Sequence, residues 1–312
     1  MSEEYDILVI GSGPAGNMAA IYGVRNGFRT ALFTGPSVGG QLTTTVGVEN
    51  FPAFPDPVSG TDLALRMLEQ SRNIGVEIIQ DVVASVDFSS RPLVCKTVEE
   101  NFYSAKNVVI ATGATPKRLG IRGEEEFRNF GVSNCAVCDG NFFKNQPVAI
   151  VGGGETAGLE AIHMSNLASK VYIVYRKDKF YRMTDITARR IRSNGKIEVI
   201  FNSEIVEICG KEKPKSVEFI RILNNRTDQH SELEVKAVFV AVGMEPKTGI
   251  FLNSGLNLSD DGYIITEKDS ARTNIKNVYA TGDVTDKKYK QAIIAAAHGA
   301  VAALEIEEDR MP

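Results

Sequence analysis

The stretch Asn134-Cys135-Ala136-Val137-Cys138-Asp139-Gly140 holds two of the four cysteines in a chain of 312 residues. A Cys-x-x-Cys serves a metal site, a structural disulfide or a redox-active dithiol, so its surroundings must decide. Zinc would require two more ligands, usually a second Cys-x-x-Cys or a pair of histidines. Cys95 and Cys209 instead stand singly in apolar, strand-like stretches and read as small buried residues, while His163, His230 and His298 are scattered. Residues three apart on a helical turn are separated by about 5–6 Å, a distance a disulfide tolerates, and such a turn lowers a thiol pKa. Asp139 is placed to move protons as thiols exchange; its other reading is a helix cap. A dithiol that cycles also needs a source of electrons.

Two further stretches can supply one. "YDILVIGSGPAGNMAAIYGVRNG" reads as a strand from Tyr5 to Ile10, a turn with Gly11-x-Gly13-x-x-Gly16, and a helix beginning near Pro14. These are the parts of a dinucleotide fingerprint: a tight turn, close backbone approach to a pyrophosphate, and a helix N-terminus offering unpaired N–H groups. The pattern returns 141 residues later as Gly152-x-Gly154-x-x-Ala157, after a strand Val148 to Val151 and before a helix and a strand Val171 to Val174. After Val174 come Tyr175-Arg176-Lys177, cations where selection for NAD would place an acid, which suits the 2'-phosphate of NADP(H). A solvated loop is the alternative for Arg176, Lys177, Lys179 and Arg182. In the first unit Thr34 and Gly35 occupy the place of the acid.

Similar Gly-x-x-Pro breaks close two strands, Gly113-x-x-Pro116 and Gly243-x-x-Pro246. Glycine frees the backbone and proline stops the strand, so paired breaks mark crossings between domains and can act as a hinge. The expected organisation is therefore α/β, with two Rossmann-like nucleotide-binding domains. Residues 1–116 and 243–312 form one discontinuous domain, and residues 117–242 form an inserted domain carrying Cys135 and Cys138. An alanine-rich helix is expected from about Gln291, behind a turn in which Asp283 either bonds a polyol hydroxyl or caps the turn. Lys287, Lys288 and Lys290 read as a solvated loop.

Composition narrows the setting. With 43% hydrophobic and 24% charged residues, and 35 Lys+Arg against 39 Asp+Glu, the chain has the balance of an ordinary globular protein. Its net charge of −4 offers no electrostatic footprint for nucleic acid or an anionic membrane. No apolar run reaches about 18 residues and no secretory leader precedes the first strand, so a cytoplasmic setting is expected. In a reducing cytosol an oxidised Cys135–Cys138 bond reads as catalytic or sensing.

"GSGPAG", "GGQLTTT", "ATGATP", "CAVCDG", "GGGETA" and "ATGDV…QA", in this order, resemble the low-molecular-weight thioredoxin reductases along essentially the whole chain. The fold implied is the pyridine nucleotide-disulfide oxidoreductase type. The activity implied is electron transfer from NADPH through FAD and a Cys135–Cys138 disulfide to oxidised thioredoxin, in a cytoplasmic homodimer serving redox homeostasis. The resemblance implies that FAD meets Ser12, Gly13, Pro14, Ala15, Gly40, Gln41, Leu42, Thr45, Asn50, Thr112, Gly282, Asp283, Gln291 and Ala292. It implies that NADPH meets Gly154, Glu155, Thr156, Arg176 and Lys177. Cys138 would face the flavin, Cys135 would exchange with thioredoxin, Asp139 would be the acid–base residue, and the NADPH domain would rotate between two states.

The phosphate loop departs from the family's usual His-Arg-Arg-x-x-x-Arg. Here it is Tyr175-Arg176-Lys177-Asp178-Lys179-Phe180-Tyr181-Arg182, with Tyr181 in the last arginine's place. Lys290 likewise stands where an arginine is common. Phe142 and Phe143 are candidates for docking the partner or for core packing. The competing functions are a flavin dithiol oxidase, a ferredoxin-fed thioredoxin reductase, and a non-catalytic nucleotide or redox sensor. The first two would be expected to carry a degraded second fingerprint.

Overall fold

A computed structural model describes residues 4–45 and 47–310, which fall into two compact units, Met1–Thr115 with Glu245–Pro312, and Pro116–Met244. The first unit begins with β1 (Glu4–Ile10), buried on both faces as a central parallel strand must be. It ends at Gly11, whose φ of +113° only glycine adopts without strain, and the chain turns into α1 (Pro14–Arg25). After β2 (Thr30–Phe33) comes α2 (Gly60–Asn73), capped by Ser59 Oγ, which accepts from the Asp62 N–H at 3.0 Å. β3 (Glu77–Ile79) follows, then an antiparallel meander of β4 (Val83–Asp87), β5 (Leu93–Thr97) and β6 (Phe102–Ile110). The sheet order is β3-β2-β1-β6-β5-β4. The chain leaves this unit along β7 (Ala114–Pro116).

The second unit holds β8 (Val132–Ser133), α3 (Ala136–Asp139), β9 (Pro147–Val151), α4 (Glu155–Ser165), β10 (Lys170–Tyr175), α5 (Asp185–Arg192) and β11 (Ile197–Phe201). An antiparallel sheet follows, made of β12 (Ser203–Glu212), β13 (Lys215–Asn224) and β14 (Gln229–Glu234), before β15 (Ala237–Val240) returns to the parallel sheet. That sheet has the order β11-β10-β9-β15-β8. Its strands alternate Val148, Ile150, Ile173 and Phe239 toward α4 with Ala149, Val151, Val174 and Val240 toward Ile205, Ile208 and Ile220 of the antiparallel sheet. The unit is therefore three layers, with both faces of the parallel strands covered.

The chain crosses back along β16 (Met244–Pro246), which pairs with β7. β17 (Val278–Ala280) then adds to the carboxyl half of β6 in parallel, and α6 (Ala292–Arg310) closes the first unit. Gly299 lets α6 lie directly on Ala15 of α1, because a Cβ there would collide with the Ala15 carbonyl oxygen.

One cysteine departs from its expected burial. Cys95 is fully buried on β5, and burial pushes its thiol up to about 12, which makes it inert. Cys209 is only half-buried: register shifts at Ile205/Glu207 and Cys209/Gly210 break the alternation of β12 and turn the residue from the core.

Candidate active site

β8 runs parallel to β15, with Ser133 opposite Phe239, and β15 runs parallel to β9. The segments that follow β8 and β9 thus emerge on the same carboxyl edge of one sheet, the edge where open α/β sheets bind ligands. Cys135 follows β8 and the Gly152–Gly154 turn follows β9, so the dithiol and the second fingerprint share that edge.

Cys135 is the extended N-cap of α3, and it is disulfide-bonded to Cys138 with Cα atoms 5.3 Å apart. The Cys138 N–H donates to Cys135 Sγ at 3.2 Å. When the disulfide opens, that donor favours the thiolate on Cys135 over the one on Cys138. Asp139 ends the same turn. Burial pushes its carboxyl above the usual range, while the Ser133 hydroxyl, donating to Oδ2 at 2.5 Å, pulls the other way. Ser133 Oγ also accepts from the Cys135 N–H at 3.1 Å, so one hydroxyl links the acid to the cysteine backbone. Gly140 completes the motif because a Cβ there would come within 2.6 Å of Met164 Sδ.

Gly154 caps α4 with no side-chain partner, and a Cβ added there meets nothing within 4 Å. The first turn of a helix, its N–H groups uncapped, thus opens onto space of the kind a pyrophosphate fills. Glu155 has other work. Its carboxylate accepts from Thr184 N–H at 2.7 Å and Thr187 Oγ1 at 2.6 Å, joining α4 to the start of α5. Burial raises that carboxyl, but these bonds outweigh it and hold it below the usual range. Thr156, Arg176 and Lys177 are exposed, and Arg182 pairs through its backbone with Gly154.

In the first unit Gly13 plays the corresponding part, capping α1 without a side-chain bond, with Pro14 at the first helical position and Ala15 buried. Ser12 is buried; its Oγ donates to the Thr34 carbonyl at 2.7 Å and accepts from the Gly39 N–H at 3.1 Å. This brings the fingerprint against the turn Gly40–Thr44, which carries Gly40, Gln41 and Leu42 and leads to Thr45, whose N–H donates to Leu42. Gly282 packs on Ala15, where a Cβ would lie 2.8 Å from the alanine's own. Asn50 Nδ2 donates to Gln291 Oε1 at 3.0 Å, just before Ala292 opens α6. Thr112 lies beside Gly11 and its hydroxyl donates to the Lys247 carbonyl at 2.8 Å. Ser12, Gly13, Ala15, Gly40, Thr112 and Gly282 thus gather around one uncapped helix N-terminus, a cradle that fits a dinucleotide, while Asn50 and Gln291 are joined to each other.

Asp283 is pushed up to about 6, first by burial and then by Asp286. A raised folded-state pKa means that this group's stabilisation is present at low pH and lost as pH rises from about 3.8 to about 6. Discounted for partial exposure, the effect is about 2 kcal/mol. FAD-free Asp283→Asn protein is therefore expected to melt higher than the unsubstituted protein at pH 7 and to lose that advantage near pH 4. Calorimetric melts at the two pH values check this.

The chain matches the pyridine nucleotide-disulphide oxidoreductase family over residues 5–299. It is 47% identical over 302 residues to a thioredoxin reductase of Rickettsia conorii, covering 97% of each chain. The chain belongs to the thioredoxin reductases. Solved thioredoxin reductases agree: that of Giardia duodenalis superposes with a TM-score of 0.92 at 37% identity, covering 98% of this chain and 99% of its own. That of Streptococcus pyogenes gives 0.89 at 38% identity, covering 99% and 98%.

For this thioredoxin reductase, two supporting residues escaped the reading from sequence. Asn17 is fully buried, and its Nδ2 donates to the carbonyls of Ser12 and Gly13 at 2.6 and 3.2 Å, bracing the fingerprint turn. A polar residue on the buried face of α1 was its signal. Ser133 had none: a serine two residues before a cysteine is ordinary until its Oγ is placed.

Proposed function

We propose that this enzyme reduces the disulfide of a thioredoxin-like protein with electrons from NADPH, using FAD in the first unit and the Cys135–Cys138 pair as the exit. The observation that carries the reading is a formed Cys135–Cys138 disulfide on the same sheet edge as an uncapped fingerprint helix. FAD and NADPH, when bound, supply a two-electron path from nicotinamide to that disulfide.

The chain's own residues do the rest. Asp139 holds or releases the proton as the sulfurs change charge. Cys135 Sγ, favoured as thiolate by the Cys138 N–H, attacks the partner's disulfide and forms a mixed disulfide while one partner sulfur leaves as thiolate. Cys138 Sγ then attacks Cys135 Sγ, the mixed bond breaks, and the partner departs as a dithiol. Exposed Val137 and Phe142 offer the partner an apolar landing beside the pair, whereas Phe143 packs edge-on against Phe239 at 6.0 Å and belongs to the core.

The α6 face carries exposed Ile293, Val301 and Leu304 at helical spacing, which supports a homodimer; light scattering is expected to give twice the chain mass. The thiol chemistry suits the reducing cytosol. The test is NADPH oxidation followed at 340 nm in air, with and without oxidised thioredoxin. The reading expects consumption that depends on thioredoxin; equal consumption in its absence would make the protein an oxidase.

A further inference from the structure

The loop after β10 sets an acid, Asp178, among the exposed cations Arg176, Lys177, Lys179 and Arg182. A carboxylate there opposes a phosphate, and two groups engage it. The Tyr181 hydroxyl donates to Asp178 Oδ1 at 3.0 Å, and Arg226 Nη2 lies 3.5 Å from Oδ2. Arg226 comes from the turn between β13 and β14, far along the chain, and that turn is fastened to the loop. Asn225 Nδ2 donates to the Arg176 carbonyl at 2.7 Å. The Asn225 N–H donates to the Asn202 carbonyl at 2.8 Å, and the Asn202 N–H donates to the Lys177 carbonyl at 3.0 Å. The Tyr181 ring sits beside the Lys177 and Lys179 ammonium groups, 5.0 and 5.3 Å from its centroid.

An exposed ion pair at this distance contributes little to stability, so holding the fold together does not account for Arg226. Its guanidinium keeps donors beyond the one facing Asp178, and a fork of donors is what a phosphate dianion takes. Resting on the NADPH reading above, we propose that Arg226 is a specificity-determining residue that supplies the 2'-phosphate with the guanidinium missing at Tyr181, while its charge offsets that of Asp178, whose other oxygen is held by the Tyr181 hydroxyl.

The test is calorimetric titration of the FAD-loaded protein with NADP+ and, separately, NAD+. Arg226→Ala is expected to weaken NADP+ about tenfold and leave NAD+ within about twofold. Asp178→Asn is expected to tighten NADP+ and to reduce the effect of adding Arg226→Ala, and Arg226→Lys to recover only part of the affinity. Equal weakening of both nucleotides by Arg226→Ala, or no weakening, would overturn the proposal. Failure of the unsubstituted protein to bind either nucleotide would overturn the nicotinamide reading itself, and this proposal with it.

Discussion

Cys138→Ser is expected to lower kcat for thioredoxin reduction by at least about 10³-fold, roughly 4 kcal/mol of barrier, with nicotinamide affinity unchanged. The reason is stoichiometric. Two electrons must leave together, and with one sulfur the pair can neither store them as a dithiol nor close again as a disulfide. Cys135 alone can still attack the partner, but nothing displaces it afterwards, so the reaction stops at the mixed disulfide. Mass spectrometry of the non-reduced mixture is expected to find a one-to-one covalent adduct through Cys135. Turnover at the unsubstituted rate would show that electrons leave by another route.

Asp139→Asn is expected to cost about 10²-fold in kcat, the lower end for loss of a positioned proton donor or acceptor. The amide keeps the shape and accepts the Ser133 hydrogen bond, so the loss reports the proton rather than the packing. Ser133→Ala adds a test of sign. The Ser133 hydroxyl stabilises the Asp139 carboxylate against the burial that pushes it up. Without that bond the carboxyl rises further, and the Asp139 inflection in the pH–rate profile is expected to move to higher pH. An unmoved inflection would mean that the titration belongs to another group.

What the sequence made legible here was mostly backbone. Gly11 and Gly152 sit at φ +113° and +148°, conformations that few residues other than glycine adopt, so the two fingerprint turns and the helices behind them were visible from residue types alone. Cys-x-x-Cys spacing likewise places two sulfurs on one turn wherever that turn forms. Side-chain roles were less legible because they depend on contacts across the fold. Glu155 stands in the expected nucleotide turn, yet its carboxylate is taken by Thr184 and Thr187 from another helix. Phe142 and Phe143 are neighbours of one chemistry, and only packing against Phe239 separates the core ring from the exposed one. Arg226 reaches Asp178 through a hairpin whose register no local pattern announces.

Exit of electrons through Cys135 and Cys138 alone is what the proposed mechanism requires. Its most direct test is anaerobic: flavin absorbance of the FAD-loaded enzyme and of the Cys135→Ser/Cys138→Ser double variant, first with enough NADPH to bleach each flavin, about two equivalents for the unsubstituted enzyme and about one for the variant, and then with oxidised thioredoxin. NADPH is expected to bleach the flavin of the double variant, and thioredoxin to restore the yellow colour in the unsubstituted enzyme alone. Return of the colour in the double variant, at the unsubstituted enzyme's rate, would contradict it.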